Sequence, residues 1–169
     1  PICKVPATAS FVLMPESALA YLYGSVDEED FDSVAPLLNR IFSIDPDTKV
    51  VMGASTTRYY GDMRRTETAR HSDYVGWYDH FNSALLCTSS GEVEDVYHKG
   101  RLVIGVEAVP LKSLFDAFEV DLGGVSGQLG WGERHIVFEG GDTKIGPAIC
   151  YEGLYGDHYA GFVREGAEA

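Results

Sequence analysis

Cys150 ends the apolar run Gly146-Pro147-Ala148-Ile149 and is followed at once by Tyr151-Glu152-Gly153. A short strand that stops in a sharp turn can hold a cysteine rigidly at a cleft, with backbone N–H groups beside it to receive an oxyanion. A free cysteine is more often a small buried hydrophobe, so the thiol acquires chemical meaning only through partners elsewhere. Two partners stand at ends of other apolar strands. Glu16 follows Phe11-Val12-Leu13-Met14-Pro15, and Lys99 closes the arm that begins at Val93. A carboxylate can deprotonate the thiol, and an ammonium can favour the thiolate and stabilise charge developing on an attacked carbonyl oxygen. Together the three residues make a candidate acyl-transfer site.

The elements that must position them are readable from hydrophobic patterning. Phe11 to Met14 reads as a buried strand stopped by Pro15. Ser25 or Asp27 can cap a helix running to about Phe42, with Asp27, Glu28, Glu29 and Asp30 in a first turn that suits the helix dipole. Lys49 to Ala54 and Phe81 to Cys87 read as buried strands, which places Cys87 in the core. Ser89-Ser90-Gly91-Glu92 is turn chemistry leading into the arm from Val93 to Lys99. Tyr59 to His80 is polar and aromatic without periodicity and reads as a long ordered loop. Leu111, Leu114, Phe115 and Phe118 recur at helical spacing after Pro110. The glycine-rich stretch from Asp121 to Gly132 reads as a mobile loop, with Leu129 and Trp131 as exposed apolar contacts. His135 to Phe138 and Lys144 to Cys150, joined by the Gly140-Gly141-Asp142 turn, form a last hairpin. A helix from about Tyr155 to Glu165 follows.

Composition narrows the class of function. The chain has 169 residues, of which 45% are hydrophobic, enough for the core of one domain. A net charge of −13 argues against nucleic-acid partners and against a polybasic membrane patch, because both need clustered Lys and Arg. No apolar stretch reaches spanning length. Cys3, Cys87 and Cys150 are widely spaced and contain no CxxC, which disfavours a disulfide framework and a zinc ribbon. The histidines His71, His80, His98, His135 and His158 lack metal-ligand spacing and read as surface or internally satisfied side chains. No metal or cofactor is called for.

Glu16, Lys99 and Cys150 also occur in the order and contexts of the nitrilase, or carbon–nitrogen hydrolase, superfamily. Pro15-Glu16-Ser17-Ala18 resembles the Pro-Glu-Thr-Ala motif of its bacterial apolipoprotein N-acyltransferase branch. Tyr97-His98-Lys99-Gly100-Arg101-Leu102-Val103 resembles the lysine motif, Gly105-Val106-Glu107-Ala108-Val109-Pro110 the second acidic motif, and Ala148-Ile149-Cys150-Tyr151-Glu152 the nucleophile motif. Asn82-Ser83-Ala84 matches a further stretch, read as strand packing. Soluble amidases of the superfamily usually carry Arg-Phe-Pro soon after the cysteine motif. This chain has Gly153-Leu154-Tyr155-Gly156 there, and that, with the placement of Glu107 after Lys99, favours the acyltransferase branch.

The resemblance implies an α+β fold, the four-layer α-β-β-α sandwich of the superfamily, as a single domain over residues 1–169. It also implies truncation at both ends, because family members have a strand before that of Glu16, a segment beyond Ala169, and membrane-spanning helices. Cys150 would attack an ester of a membrane phospholipid, Glu16 would act as general base and acid, and Lys99 with the Tyr151 N–H would form the oxyanion site. Glu107 would either pair with Lys99 and fix its orientation or be a surface carboxylate, while Glu152 either supports the nucleophile or points away from it. The acceptor would be the amine of a diacylglyceryl-cysteine apolipoprotein, with the intact protein in the bacterial inner membrane and this domain facing the periplasm. The competing expectations are hydrolysis of a small amide or nitrile by the same triad, and a catalytically inactive fragment.

Overall fold

The computed structural model describes residues 9–19, 24–32, 36, 47–88, 92–104, 107 and 129–169. Their regular elements are β1 (Phe11–Leu13), β2 (Ser25–Asp27), β3 (Lys49–Gly61), β4 (Arg70–Ser72), β5 (Gly76–Cys87), β6 (Val93–His98), β7 (Phe138–Gly140) and β8 (Thr143–Ile145). A 3-10 turn (Cys150–Leu154) and a helix, α1 (Gly156–Arg164), follow. Strands β1 to β6 form one mixed sheet in which β1 and β2 run parallel to β3, while β5 lies antiparallel to β3, β4 and β6. Strands β7 and β8 make a separate hairpin.

Alternation along the strands sorts the side chains onto two faces. Val50, Met52 and Ala54 of β3 and Leu85 and Cys87 of β5 pack with Leu19 and Val26 on one face, where Phe31 and Val96 also rest. Val51, Ala84, Leu86 and Tyr97 point the other way and meet Phe138, Ile149, Phe162 and Ala167. The second face is therefore roofed by the β7–β8 hairpin, the nucleophile segment and α1. Each fully buried Leu, Met or Phe in these layers contributes about 1.5–3 kcal/mol, so both roofs are held firmly to the sheet.

The pairing frames set where the sheet can carry polar groups. Ser83 lies opposite His98 at the last pair of the β5–β6 ladder, and just beyond it the Lys99 N–H donates to the Asn82 carbonyl at 2.8 Å. Period-two alternation then puts Asn82 and Lys99 on the face of Tyr97 and Ala84, and Ser83 and His98 on the face of Leu85. The two faces do different work at this ladder end.

Several sequence expectations are corrected. Ser25–Asp27 is a strand, not a helix start: Val26 is buried, and the segment pairs with Ser55, Thr56 and Thr57 of β3. About half of Tyr59 to His80 is strand, because β3 and β5 extend past the core as one long ribbon to Gly61 and Gly76 and β4 adds a further edge. The ribbon turns at these two glycines, whose positive φ of 62° and 75° glycine adopts without steric cost. Strand β1 is half-buried, with Leu13 exposed. Strand β8 stops at Ile145, so the segment from Gly146 to Ile149 approaches Cys150 as irregular backbone. Apart from Pro36, the rest of the expected helix toward Phe42, the Ser89–Gly91 turn, the expected Leu111–Phe118 helix and the Asp121 to Gln128 part of the glycine-rich loop lie outside the described residues. Trp131 is exposed as expected, whereas Leu129 is half-buried.

Candidate active site

Glu16 sits in a turn closed by the Ala18 N–H donating to the Pro15 carbonyl at 3.0 Å. That turn lies directly on Gly53 of β3: the Gly53 N–H donates to the Pro15 carbonyl and the Leu19 N–H to the Gly53 carbonyl, each at 3.2 Å. Only a residue without Cβ fits there, because a methyl on Gly53 would meet the Glu16 backbone at under 3.0 Å. Strand β3 thus presents the Glu16 carboxylate to the ladder end where Asn82 and Lys99 emerge.

Lys99 is the centre of the arrangement. Its side chain is 1% exposed, its Nζ donates to Glu107 Oε1 at 2.8 Å, and Glu16 Oε1 lies 3.7 Å away. The Asn82 amide bridges the same two carboxylates, donating to Glu16 Oε1 at 2.6 Å and to Glu107 Oε1 at 3.3 Å. Glu107 Oε2 accepts the Val103 N–H at 2.8 Å. Burial pushes the Glu107 carboxyl up, but the hydrogen bonds from Lys99, Val103 and Asn82 and the Lys99 charge outweigh it. The net effect holds Glu107 below the ordinary carboxylate range. A buried ammonium is tolerable only when paired in this way.

Asn82 is the residue that sequence reasoning misplaced. The strand-packing reading omits that its amide ties the two acidic groups together. The available signal is its polar amide at the start of an apolar strand, within the Asn82-Ser83-Ala84 stretch that resembles the family.

Cys150 lies at the sharp turn anticipated for a nucleophile. Its φ of 49° is the one positive value among described non-glycine residues, a left-handed conformation that costs an L-residue about 1–3 kcal/mol. The thiol is exposed, whereas Cys87 is buried and its thiol is pushed up to about 12 by burial, with Glu94 adding to the shift. Among the described residues Cys150 Sγ makes no hydrogen bond, so the structure brings Glu16 and Lys99 together directly, while the Cys150 segment is tied to the Lys99 segment through a carboxylate. The link is Glu152, fully buried. Its Oε1 accepts the N–H groups of Gly100 at 2.6 Å and Arg101 at 3.0 Å, while its Oε2 accepts the Ile149 N–H at 2.7 Å. One carboxylate therefore holds the residue before the cysteine against the residue after the lysine. Tyr151 is half-exposed, with its ring edge-on to Tyr155.

Behind the ladder end, on the opposite face, a second polar chain is complete. Arg58 donates to His98 Nε2 at 2.9 Å, which fixes the proton on Nδ1 facing Ser83 Oγ at 2.9 Å. Ser83 lies 2.7 Å from Thr56 Oγ1, and Thr56 donates to Glu28 Oε1 at 2.7 Å. Arg58 Nε closes the loop on Glu28 Oε2 at 2.7 Å. Burial lowers the His98 imidazole to about 4; Glu28 opposes that shift and Arg58 adds to it. The acidic run that reads as a helix start thus contributes Glu28 to a partly buried network behind the Lys99 ladder end. Among the described residues no group of His, Cys, Asp or Glu is placed to hold a metal ion, and no helix is long and apolar enough to cross a membrane.

Comparison with known proteins agrees with the fold. An amidase of the nitrilase superfamily from Nesterenkonia AN1, as a cysteine-to-alanine variant, superposes with a TM-score of 0.52 at 15% identity, covering 95% of this chain and 50% of the amidase. A second structure of an amidase from Nesterenkonia sp. AN1, carrying the product of Michael addition of acrylamide at its active-site cysteine, gives a TM-score of 0.51 at 14% identity, with 94% and 51% covered. The glutamine-dependent NAD+ synthetase of Acinetobacter baumannii aligns at 17% identity with a TM-score of 0.47, over 94% of this chain and 24% of the synthetase. The chain spans about half the length of the amidases it matches. No curated protein matches it in sequence. The family model described as carbon–nitrogen hydrolase matches residues 8–169, and the chain belongs to that family.

Proposed function

We propose that Cys150 is the nucleophile of an N-acyltransferase that moves a fatty acyl group from a phospholipid to the amine of a diacylglyceryl-cysteine apolipoprotein. The observation that carries the cysteine chemistry is the buried Lys99 ammonium held between Glu16 and Glu107, at the ladder end that Glu152 ties to the Cys150 turn. The choice of transfer over hydrolysis is supported by Pro15-Glu16-Ser17-Ala18 and by Gly153-Leu154-Tyr155-Gly156 after the nucleophile.

The reaction runs in two balanced halves. Glu16 takes the Cys150 S–H proton, and sulfur adds to the ester carbonyl. Lys99 and the Tyr151 N–H receive the oxyanion. Collapse breaks the C–O bond, and the leaving alkoxide takes the proton held by Glu16, leaving a thioester. The acceptor amine then attacks the thioester and loses a proton to Glu16. The departing thiolate recovers that proton, and an amide is released. Glu107 and Asn82 orient Lys99 and Glu16 throughout. In the intact protein the donor places this site at a membrane surface, which fits a bacterial inner-membrane enzyme working on the periplasmic side.

A second reading, hydrolysis of a small amide, is favoured by the exposure of the Cys150 thiol, which would leave a thioester open to water. Incubation of the intact protein with a phospholipid and a lipopeptide amine separates the two. The N-acyl lipopeptide is expected, and its dependence on Glu16, Lys99 and Cys150 supports the proposal. Release of free fatty acid or ammonia without N-acyl product would overturn transfer, and absence of any Cys150 acylation would overturn both.

A further inference from the structure

The Glu152 carboxylate has partners beyond the backbone it clamps. Tyr97 OH donates to Glu152 Oε1 at 2.8 Å, and His158 Nε2 lies 3.1 Å from the same oxygen and 2.9 Å from the Tyr97 hydroxyl. His135 Nε2 in turn is 3.1 Å from His158 Nδ1. Tyr97, Glu152 and His158 are all buried, and they come from β6, the nucleophile turn and α1. His135 reaches the surface and lines an open cavity of about 450 Å³ with Asp95, Glu133, Arg134, Ile136 and Glu165.

One assignment of protons satisfies every contact. His135 Nε2–H donates to His158 Nδ1, His158 Nε2–H points at Tyr97 and Glu152, and Tyr97 O–H donates to Glu152. His158 is then a neutral imidazole. This agrees with the lowering of His158 by burial, where His135 and Arg101 act in the same direction and Glu152 and Asp157 oppose it. The opposite tautomer would aim a lone pair of His158 at a carboxylate and would draw the Tyr97 proton away from Glu152. The chain therefore has a direction, from the surface to the clamp, and each donor in it adds to the hold on Glu152 Oε1.

We infer that His158, with Tyr97 and His135 behind it, is a positioning residue for the nucleophile turn: it fixes Glu152, which fixes Ile149 against Gly100 and Arg101 and so Cys150 against Lys99. The inference rests on the catalytic reading of Cys150 but concerns residues that touch no reacting atom. Neither the cysteine motif nor the lysine motif contains His158 or His135. Four donors on one oxygen exceed what a carboxylate needs for burial alone; two of them, the Gly100 and Arg101 N–H groups, follow Lys99, and the Ile149 N–H on the other oxygen precedes Cys150.

The test compares His158→Leu, His158→Gln and, as a control of equal kind, Phe138→Leu, which truncates a buried ring of the same face outside the hydrogen-bonded chain. Glutamine keeps an N–H donor for Glu152, and leucine keeps bulk without one. Acylation of Cys150 by a p-nitrophenyl ester, read as stoichiometric nitrophenolate release from the full chain, is expected to slow about tenfold to a hundredfold in His158→Leu. Recovery to within about threefold of wild type is expected in His158→Gln, and no change in Phe138→Leu, whatever its loss of stability. Equal rates in wild type and His158→Leu would overturn the inference, as would rates that follow stability across all three variants. If wild type itself is not acylated, the catalytic reading fails and hydrogen exchange decides the positioning. Selective loss of protection at the Ile149, Gly100 and Arg101 N–H groups in His158→Leu, restored in His158→Gln, supports it; unchanged protection there overturns it.

Discussion

Gly53→Ala should disable the site without touching any of its side chains. The new methyl would stand inside contact distance of the carbonyl oxygen, carbonyl carbon and Cα of Glu16, all backbone atoms at under 3.0 Å, where ordinary contact begins at 3.4 Å. No side-chain rotation relieves a backbone clash, so the turn from Pro15 to Leu19 has to lift off β3. A lift of about 1 Å, the scale on which misplaced reacting groups lose ~10²-fold in rate, would take both 3.2 Å hydrogen bonds of Gly53 beyond bonding range. It would also stretch the 2.6 Å tie from Asn82 to Glu16. Overpacking of this kind costs about 1–3 kcal/mol, and each of the two backbone bonds adds about 1 kcal/mol when lost. The expected total is therefore about 3–5 kcal/mol. Urea unfolding monitored by tryptophan fluorescence measures the stability loss, and nitrophenolate release measures acylation of Cys150, which is expected to fall by about two orders of magnitude. An alanine variant with wild-type midpoint and wild-type acylation would refute the claim that β3 places Glu16 through this contact.

Other perturbations have equally defined outcomes. His98 is neutral in the fold with its imidazole lowered from 6.5 to about 4, so the unfolded chain binds the extra proton first. Its share of stability is complete above pH 6.5 and is lost as pH falls to about 4, some ~3 kcal/mol in all. Urea titrations at several pH values should show this slope in wild type and a shallower one in His98→Gln; equal slopes would sink the assignment. Iodoacetamide at pH 7, followed by peptide mapping, should label Cys150 rapidly and leave Cys87 unmodified in the native state. Labelling of Cys87 at a comparable rate would contradict its burial. Because Cys150 holds a positive φ, Cys150→Gly should be more stable than Cys150→Ala by about 1 kcal/mol, and the reverse order in chemical denaturation would show that the turn is unstrained.

The misread segments have a common physical cause. The run from Asp27 to Asp30 has the local chemistry of a helix start, and nothing within it announces that Val26 will be buried beside β3 or that Glu28 will meet Thr56 and Arg58 some thirty positions away. Tyr59 to His80 lacks alternation because the β3–β5 ribbon has passed the core there and buries neither face regularly. Its order comes from cross-strand pairing and from bonds such as Tyr60 and Thr66 donating to Asp79, which a one-dimensional pattern does not encode. Asn82 was legible as part of a motif but not as a bridge, since a bridge needs two carboxylates that are remote in sequence.

What the sequence determined by itself is the chemical inventory and its framing. A carboxylate and an ammonium follow apolar strand runs, a thiol closes a further apolar run, and the core strands are themselves marked by such runs. These are local properties, set by side-chain type and by spacings of two and 3.6 residues. Which polar groups share a carboxylate is settled only once the chain has folded. Lys99 lies between Glu16 and Glu107, Asn82 spans them, and Glu152 binds the backbone on both sides of the site while Tyr97 and His158 bind Glu152. Such pairings are fixed by the requirement that every buried polar group find a partner, and the partners are chosen by strand register and packing across the whole chain.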